Sequence, residues 1–177
     1  LDVIKKRRSI RRFTAQKIEL DKIEAILQSA MFAPSAVNKQ PWYFIVIDDR
    51  RIMNEIMEVH PHSKMFATAD LGILVCGDLH QQHDTGYWIA DCAAATENIL
   101  LAATALGLGS CWVGIYPREA RMNSMKTIFS LPSHIEAFSL VALGYPAEEK
   151  KTPERFQPGK VFLNHWGRKN PGMNDAN

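Results

Sequence analysis

Apolar residues recur every three or four positions over residues 20–31, which is the spacing of one buried helical face. Ile23, Ile26 and Leu27 belong to this pattern, and Pro34 follows shortly after it ends. Proline lacks the amide hydrogen that a continuing helix needs, so it marks a natural boundary. The spacing therefore predicts a helix over residues 20–31.

Three segments are continuously apolar and rich in β-branched or aromatic side chains, namely residues 42–47, 71–76 and 139–143. Short runs of this kind are typical of strands that are covered on both faces. Helical spacing returns between the first two, over residues 50–59. Strands and helices therefore alternate, which predicts an α/β or α+β protein with helices on both faces of the sheet.

The segment 87–108 is apolar around most of its circumference, and Gly107 is well placed to end a helix in the left-handed conformation. Its length approaches that of a membrane span, but Asp91, Glu97 and Asn98 fall inside it. We therefore predict a long helix surrounded by protein. Because one small domain offers too little chain to cover such a helix, we also predict a homodimer packed along it.

After residue 108 the chain first continues the alternation of strands and helices and then loses it. A further strand is predicted over residues 111–115 and a further helix over residues 117–129. Residues 147–177 then contain several prolines and few periodic apolar positions, which predicts an extended arm lying on the partner subunit. Since no repeat or linker interrupts the pattern, we predict a single domain over residues 1–177.

Composition narrows the class of protein. The 177 residues are 46% hydrophobic and 23% charged, which is typical of a globular domain and excludes fibrous and disordered classes. The three cysteines are an odd number without CxxC spacing, so we expect no disulfide framework. Together with the lack of a signal-peptide pattern, this predicts a reducing, cytoplasmic location.

Basic residues are concentrated near the start of the chain. The formal net charge is +2, yet six of the 21 basic residues lie within residues 5–12, so the rest of the chain is mildly acidic. This distribution favours one local anion site, with an ordinary solvated helix end as the open alternative. The run lacks interleaved aromatic side chains, so we expect neither a nucleic-acid nor a membrane interface.

Familiar catalytic motifs are missing from the sequence. His60 and His62, like His80 and His83, lack companion Cys or acidic residues at a recognised ligand spacing, so no metal site is expected. There is no GxSxG motif, and Cys111 lies in an apolar segment where a thiol is usually inert. The sequence therefore indicates no covalent nucleophile.

Three polar segments together suggest a cofactor site. RRSIRRF at residues 7–13 offers guanidinium groups and a hydroxyl, APSAVNKQPW at residues 33–42 offers neutral hydrogen-bonding side chains, and SCWVG at residues 110–114 offers backbone amides. Each alone is common turn or surface chemistry. In combination they are what a flat heteroaromatic cofactor with a phosphate tail requires.

These residues resemble the FMN-dependent nitroreductase family. The segments that carry the likeness are RRSIRRF, AMFAPSAVNKQPWYFIVI, DCAAATENILLAATALGLGSCWVGIYP, LGYP and ERFQPGKVFLNHW, in that order. The resemblance implies an α+β fold with a mixed central β-sheet flanked by helices. It also implies a homodimer with two FMN sites at the subunit interface and an extended C-terminal arm that embraces the partner.

The resemblance implies a set of cofactor-binding residues. Arg7 and Ser9 match phosphate and ribityl ligands, Arg8 is their neighbour, Arg11 matches the cation at the pyrimidine edge of the flavin, and Arg155 matches the phosphate ligand of the arm. Val113 and Gly114 match the turn whose amide faces flavin N5. The loop that would reach the ring from the other subunit contains Pro34, Ser35, Ala36, Asn38 and Gln40.

The implied reaction is two-step hydride transfer through flavin N5, in which NAD(P)H reduces FMN and a small-molecule acceptor, such as a nitroaromatic or a quinone, then uses the same face. No catalytic acid or base is implied. The chain is short, so the acceptor pocket would be walled by residues 60–66 or 80–88. A flavin-binding or redox-sensing module with little turnover, or a related reaction such as reductive dehalogenation, stays open as an alternative.

Overall fold

The computed structural model describes residues 1–168 of the chain. Residues 169–177, which are the end of the predicted arm, lie outside the described residues. The structure contains one four-stranded sheet, made of β1 (Trp42–Ile47), β2 (Leu71–Asp78), β3 (Gly109–Gly114) and β4 (Ile135–Gly144). The helices are α1 (Asp2–Lys6), α2 (Leu20–Met31), α3 (Arg50–Val59), α4 (Tyr87–Ala105) and α5 (Glu119–Phe129).

The strand order is β1-β2-β4-β3, and every neighbouring pair is antiparallel. The α+β class is confirmed, but the expectation of a mixed sheet is wrong for these strands. Helix α3 and residues 60–70 connect β1 to β2 and return the chain to the same end of the sheet. Ile47, at the end of β1, therefore lies opposite Gly72, near the start of β2. Within residues 1–168, parallel pairing is confined to a single bridge between Ser9 and Ser110.

Two apolar clusters cover the two faces of the sheet. On one face, α2 and α4 pack together against side chains such as Ile73 and Val75 of β2. On the other face, α3 and α5 pack against Leu74 and Cys76. Because successive residues of a strand point to opposite faces, all eight residues of β2 are buried, as its continuous apolar pattern predicted.

Strand β1 differs from its prediction, because it is an edge strand. Only its first and last residues, Trp42 and Ile47, are buried, whereas Tyr43 and Val46 are exposed. Helix α4 still contacts this strand, but Phe44 and Ile45 between them are only half-buried. Apolar content therefore predicted the strand correctly and its burial on both faces wrongly.

Helix α4 crosses one face of the sheet and ends earlier than predicted. It stops at Ala105, and Gly107 has a φ of 76°, so that Leu108 N donates to Ala103 O at 2.8 Å. This is the left-handed termination expected of glycine at this position. Over the described residues, the model contains no helix with the length and apolar character of a membrane span.

The segment after β4 first pairs with the start of the chain and then leaves it. Ala147 N donates to Arg12 O at 2.9 Å, and Lys150 Nζ donates to Ser9 O at 2.6 Å. Beyond this point the chain is largely exposed, including Trp166. The arm over residues 147–177 and its packing on a partner subunit both stay predictions.

Candidate functional site

Three arginines from two parts of the chain meet beside a cavity of about 700 Å³. Arg7 and Arg8 follow helix α1, and Arg155 lies in the exposed segment after β4. Desolvation, with the positive charges of Arg155 and Arg7, lowers the pKa of the Arg8 guanidinium. Arg8 Nε is buried and has no hydrogen-bond partner in residues 1–168. A bound anion would supply both the missing countercharge and the missing acceptor.

Glu97 of α4 also lines this cavity and balances part of its charge. Its Oε1 lies 3.7 Å from Arg7 Nε, which is longer than an ordinary hydrogen bond, and its side chain is 47% exposed. Exposed ion pairs of this kind contribute only about 0–1 kcal/mol. The ion pair with Glu97 therefore holds the Arg7 guanidinium only weakly.

Gly114 directs its backbone polar groups to the outer edge of the sheet. Ile115 N donates to Phe138 O at 3.3 Å, and the register places Gly114 opposite Ser139. Residues of an antiparallel pair alternate between those that bond the neighbouring strand and those whose N–H and C=O point away. Gly114 therefore points its amide outwards, whereas Val113 bonds toward β4. Both residues lie at the end of a strand, as the apolar pattern of residues 111–115 predicted, whereas the family resemblance implied a turn there.

His60 fixes the carbonyl of Gly114. Its Nε2 donates to Gly114 O at 2.9 Å, its Nδ1 accepts from His62 N at 3.1 Å, and the residue is only 1% exposed. A carbonyl only accepts and an amide only donates, so these contacts select the neutral imidazole with hydrogen on Nε2. Burial accordingly lowers the pKa of His60. Arg121 Nη1 donates to the same carbonyl at 2.9 Å.

A second cavity, of about 450 Å³, runs along this open edge of β3. Its floor is formed by residues 111–114. The basic side chains that line it are Arg11, His62, Lys64 and Arg121. Backbone donors at a strand edge, surrounded by positive charge, are suited to an aromatic ring that gains negative charge on reduction.

Glu148 anchors the segment that carries Arg11. Its carboxylate accepts from Arg11 N at 2.6 Å and lies 3.4 Å from Lys150 Nζ and 3.7 Å from Arg12 Nε. The backbone hydrogen bond from Arg11 is the main cause that lowers the pKa of Glu148. The side chain of Arg11 stays exposed beside the second cavity.

The loop between α2 and β1 is conformationally strained. Val37, Asn38 and Gln40 have φ values of 51°, 56° and 50°, in the left-handed region that favours glycine. Such residues cost about 1–3 kcal/mol each and persist only where surrounding contacts over-determine them. The side chain of Val37 is 69% exposed, so no burial in its own chain offsets this cost.

Hydrogen bonds to side chains hold this loop in place. Ser35 Oγ accepts from Gln40 N at 2.9 Å, and Asp91 Oδ1 of α4 accepts from Ala36 N at 3.0 Å. Asp91 is 4% exposed, and its Oδ2 has no partner within the described part of the chain. Because Asp91 is buried and its Oδ1 accepts a hydrogen bond from the loop, we identify Asp91 as the residue that holds the strained conformation.

Comparison with known proteins decides the family. The model of the nitroreductase family matches residues 4–60 and 58–145. This chain belongs to the nitroreductase family. Two archaeal relatives of the family carry the name "Putative NADH dehydrogenase/NAD(P)H nitroreductase". The protein from Archaeoglobus fulgidus is 44% identical over 94% of this chain and 98% of its own length, and that from Methanothermobacter thermautotrophicus is 43% identical over 94% and 87%.

Solved structures of family members agree with the fold. The FMN-dependent nitroreductase from Clostridium difficile R20291 superposes with a TM-score of 0.86 at 29% identity, over 93% of this chain and 98% of that protein. Recognition of the nitroreductase family from the sequence motifs is therefore confirmed.

The structure divides the site residues expected of a nitroreductase into three groups. The first is the arginine cluster, where Arg7, Arg8 and Arg155 line one cavity, and the second is the strand edge with Arg11, Val113 and Gly114 at the other cavity. Ser9 lies between them, paired with Ser110. The third group is the loop with Pro34, Ser35, Ala36, Asn38 and Gln40, which lines neither cavity of its own chain.

Several residues of this nitroreductase site were not predicted. From the sequence, the pair of His60 and His62 was rejected as a metal site, but it fell within residues 60–66, one of the two expected walls of the acceptor pocket, and these residues do line the second cavity. Asp91 was noted only as evidence against a membrane span. The basic residue at the end of HPHSK, Lys64, was a usable signal, because it follows the histidines within one short loop. Arg121 gave no local signal, since its role depends on a carbonyl seven residues away.

Proposed function

We propose that this nitroreductase-family protein is an FMN-dependent oxidoreductase that uses NAD(P)H to reduce small-molecule acceptors such as nitroaromatics or quinones. The observation that carries the proposal is the pairing of two cationic cavities on either side of the Ser9–Ser110 bridge. One matches a phosphate, and the other, with its outward amide, matches a ring. The FMN-dependent relative from Clostridium difficile supports the same cofactor.

The residues present fit FMN. The buried, unpartnered Nε of Arg8 requires an acceptor, and we assign Arg7, Arg8 and Arg155 to the phosphate. We assign the amide of Gly114 to N5 and Arg11 to the pyrimidine edge of the ring. When bound, FMN supplies a ring that accepts a hydride from NAD(P)H and passes it to an acceptor. Arg11 would favour the reduced ring electrostatically, while His60 keeps Gly114 oriented.

We further propose that the functional unit is a homodimer, in which each chain is one domain with an arm over residues 147–177. In the strained loop, Val37, Asn38 and Gln40 are exposed, although the loop lines neither of the two cavities of its own chain, which is expected if it serves the partner's site. Cys76, Cys92 and Cys111 are buried and unpaired, in keeping with a reducing cytoplasm.

The purified protein tests the function directly. We expect a flavin absorption spectrum with about one FMN per chain, and oxidation of NADH or NADPH that accelerates when menadione or a nitroaromatic is added. A colourless protein that cannot be reconstituted with FMN would reject the cofactor assignment. Bound FMN without pyridine-nucleotide oxidation would instead identify a flavin-binding module. Acceleration only by a halogenated aromatic acceptor would identify a dehalogenase.

A further inference from the structure

Two histidines and a carboxylate lie close together at the C-terminal end of β2. Asp78 is the last residue of this strand, His80 follows two residues later, and His134 directly precedes β4. One ligand atom from each lies within 4.8 Å of the other two. In the sequence, only His80 and His83 were considered together as ligands. In the fold, the pairing of Asp78 with Ile135 brings His134, which is distant in the sequence, close to Asp78 and His80.

The backbone around these three side chains is fixed by hydrogen bonds. Asp78 is 5% exposed, and its Oδ1 accepts from His80 N at 2.8 Å. Asp78 N donates to Pro41 O at 2.7 Å, and Leu79 N donates to His134 O at 2.9 Å. The position of the Asp78 carboxylate is therefore fixed, while the imidazole of His80 is exposed.

The imidazole rings of His80 and His134 are stacked face to face. Their centroids are 4.7 Å apart and their planes differ by 5°. In a tetrahedral site with metal–ligand bonds of about 2.1 Å, ligand atoms are separated by about 3.4 Å. The ligand atoms lie within 4.8 Å of one another, so rotation of the exposed His80 side chain and a closure of up to about 1.4 Å reach that arrangement.

We propose that Asp78, His80 and His134 bind a divalent transition-metal ion, with Zn²⁺ as the best match. Two imidazoles and one carboxylate are a donor set that suits zinc and its neighbours, whereas Mg²⁺ and Ca²⁺ prefer oxygen ligands throughout. Water completes the coordination on the exposed side. None of the three residues lines either cavity assigned to the flavin. The site is therefore separate from the redox centre, and its role is to tie the turn after β2 to the segment before β4.

Equilibrium dialysis of the untagged holoprotein against Zn²⁺, followed by metal analysis, tests this proposal without interference from flavin absorption. We expect about one Zn²⁺ per chain with an affinity in the micromolar range. His80→Ala and His134→Ala should each weaken binding at least about tenfold, since even the loss of an outer-sphere partner typically costs that much. His83→Ala is the matched control, because His83 is an exposed histidine of the same loop.

Each result has one meaning. Loss of binding in both variants with a normal response in the His83→Ala control supports the site, provided that flavin content and circular dichroism are unchanged. Asp78→Asn is a third variant. If this buried substitution impairs folding, the test still holds, because the His80→Ala variant changes an exposed residue. Wild-type zinc affinity in the His80→Ala/His134→Ala double variant, or an equal loss in His83→Ala, would overturn the proposal. Neither result bears on FMN.

Discussion

Replacement of His60 by glutamine should separate its titration from its hydrogen bonds. The side-chain amide of the introduced glutamine would donate to Gly114 O, and its side-chain carbonyl would accept from His62 N, so both contacts of the imidazole are retained in kind. Glutamine does not titrate. The variant therefore removes the pH dependence that His60 contributes, with a constant cost of about 1–2 kcal/mol for imperfect geometry.

The sign of the effect follows from the direction of the pKa shift. The pKa of His60 is lowered in the folded protein, mainly by burial, relative to 6.5 in the unfolded chain. Below pH 6.5 the unfolded chain binds a proton that the folded protein excludes, so stability is complete above that pH and is lost as pH falls toward the folded pKa. The loss is at most about 1.4 kcal/mol per pH unit.

Denaturant unfolding from about pH 7.5 to about pH 5.5, at fixed protein and FMN concentrations, measures this difference. We expect the free energy of unfolding of the wild-type protein to fall over this range, and that of His60→Gln to fall less, so that the gap between them narrows by up to about 1.4 kcal/mol. His62→Gln is the matched control, because it removes a neighbouring exposed imidazole and keeps the backbone N–H that donates to His60 Nδ1. Equal slopes for the wild type and His60→Gln would refute the neutral, buried imidazole.

Three further predictions concern the cofactor. Arg8→Gln should weaken FMN binding about tenfold or more in a fluorescence titration, through loss of charge-assisted hydrogen bonds, while Lys6→Gln in the exposed α1 should not. Asp91→Ala should raise the dissociation constant for FMN by relaxing the strained loop, with Asp91→Asn partly restoring it; equal affinity in all three proteins would contradict the anchoring role. Arg11→Ala should lower the flavin midpoint potential and slow reduction by NAD(P)H, and unchanged values in a redox titration would reject its assignment.

Local periodicity was enough to predict most elements of the fold. Residues 20–31 and 50–59 form the helices that their spacing indicated, because each has one apolar face against the sheet. The strand predicted over residues 139–143 begins earlier, at Ile135, because Glu136 interrupts the apolar pattern while still pairing with Gly77. Strand order was not predicted, and the mixed strand directions that the resemblance implied were wrong, since order and direction depend on which distant segments pair.

The candidate site likewise contains residues that local motifs predicted and residues that only the fold reveals. The arginines near the start of the chain and the loop of residues 34–40 were found because their chemistry lies in contiguous motifs. His60 and Asp91 act through contacts with Gly114 and Ala36, which are more than 50 residues away. No local pattern reports such contacts, so these two residues could be assigned only from the folded chain.

The open edge of β3 has a second consequence, for the behaviour of the protein before it acquires its cofactor. An exposed strand edge is a template on which another chain can add a strand, which is a common route to aggregation. Here the Ser9 segment covers one end, and His60 and Arg121 occupy the carbonyl at the other. The basic side chains along the remaining stretch repel a second copy of themselves, so the charge that we assign to flavin binding would also oppose aggregation through this edge.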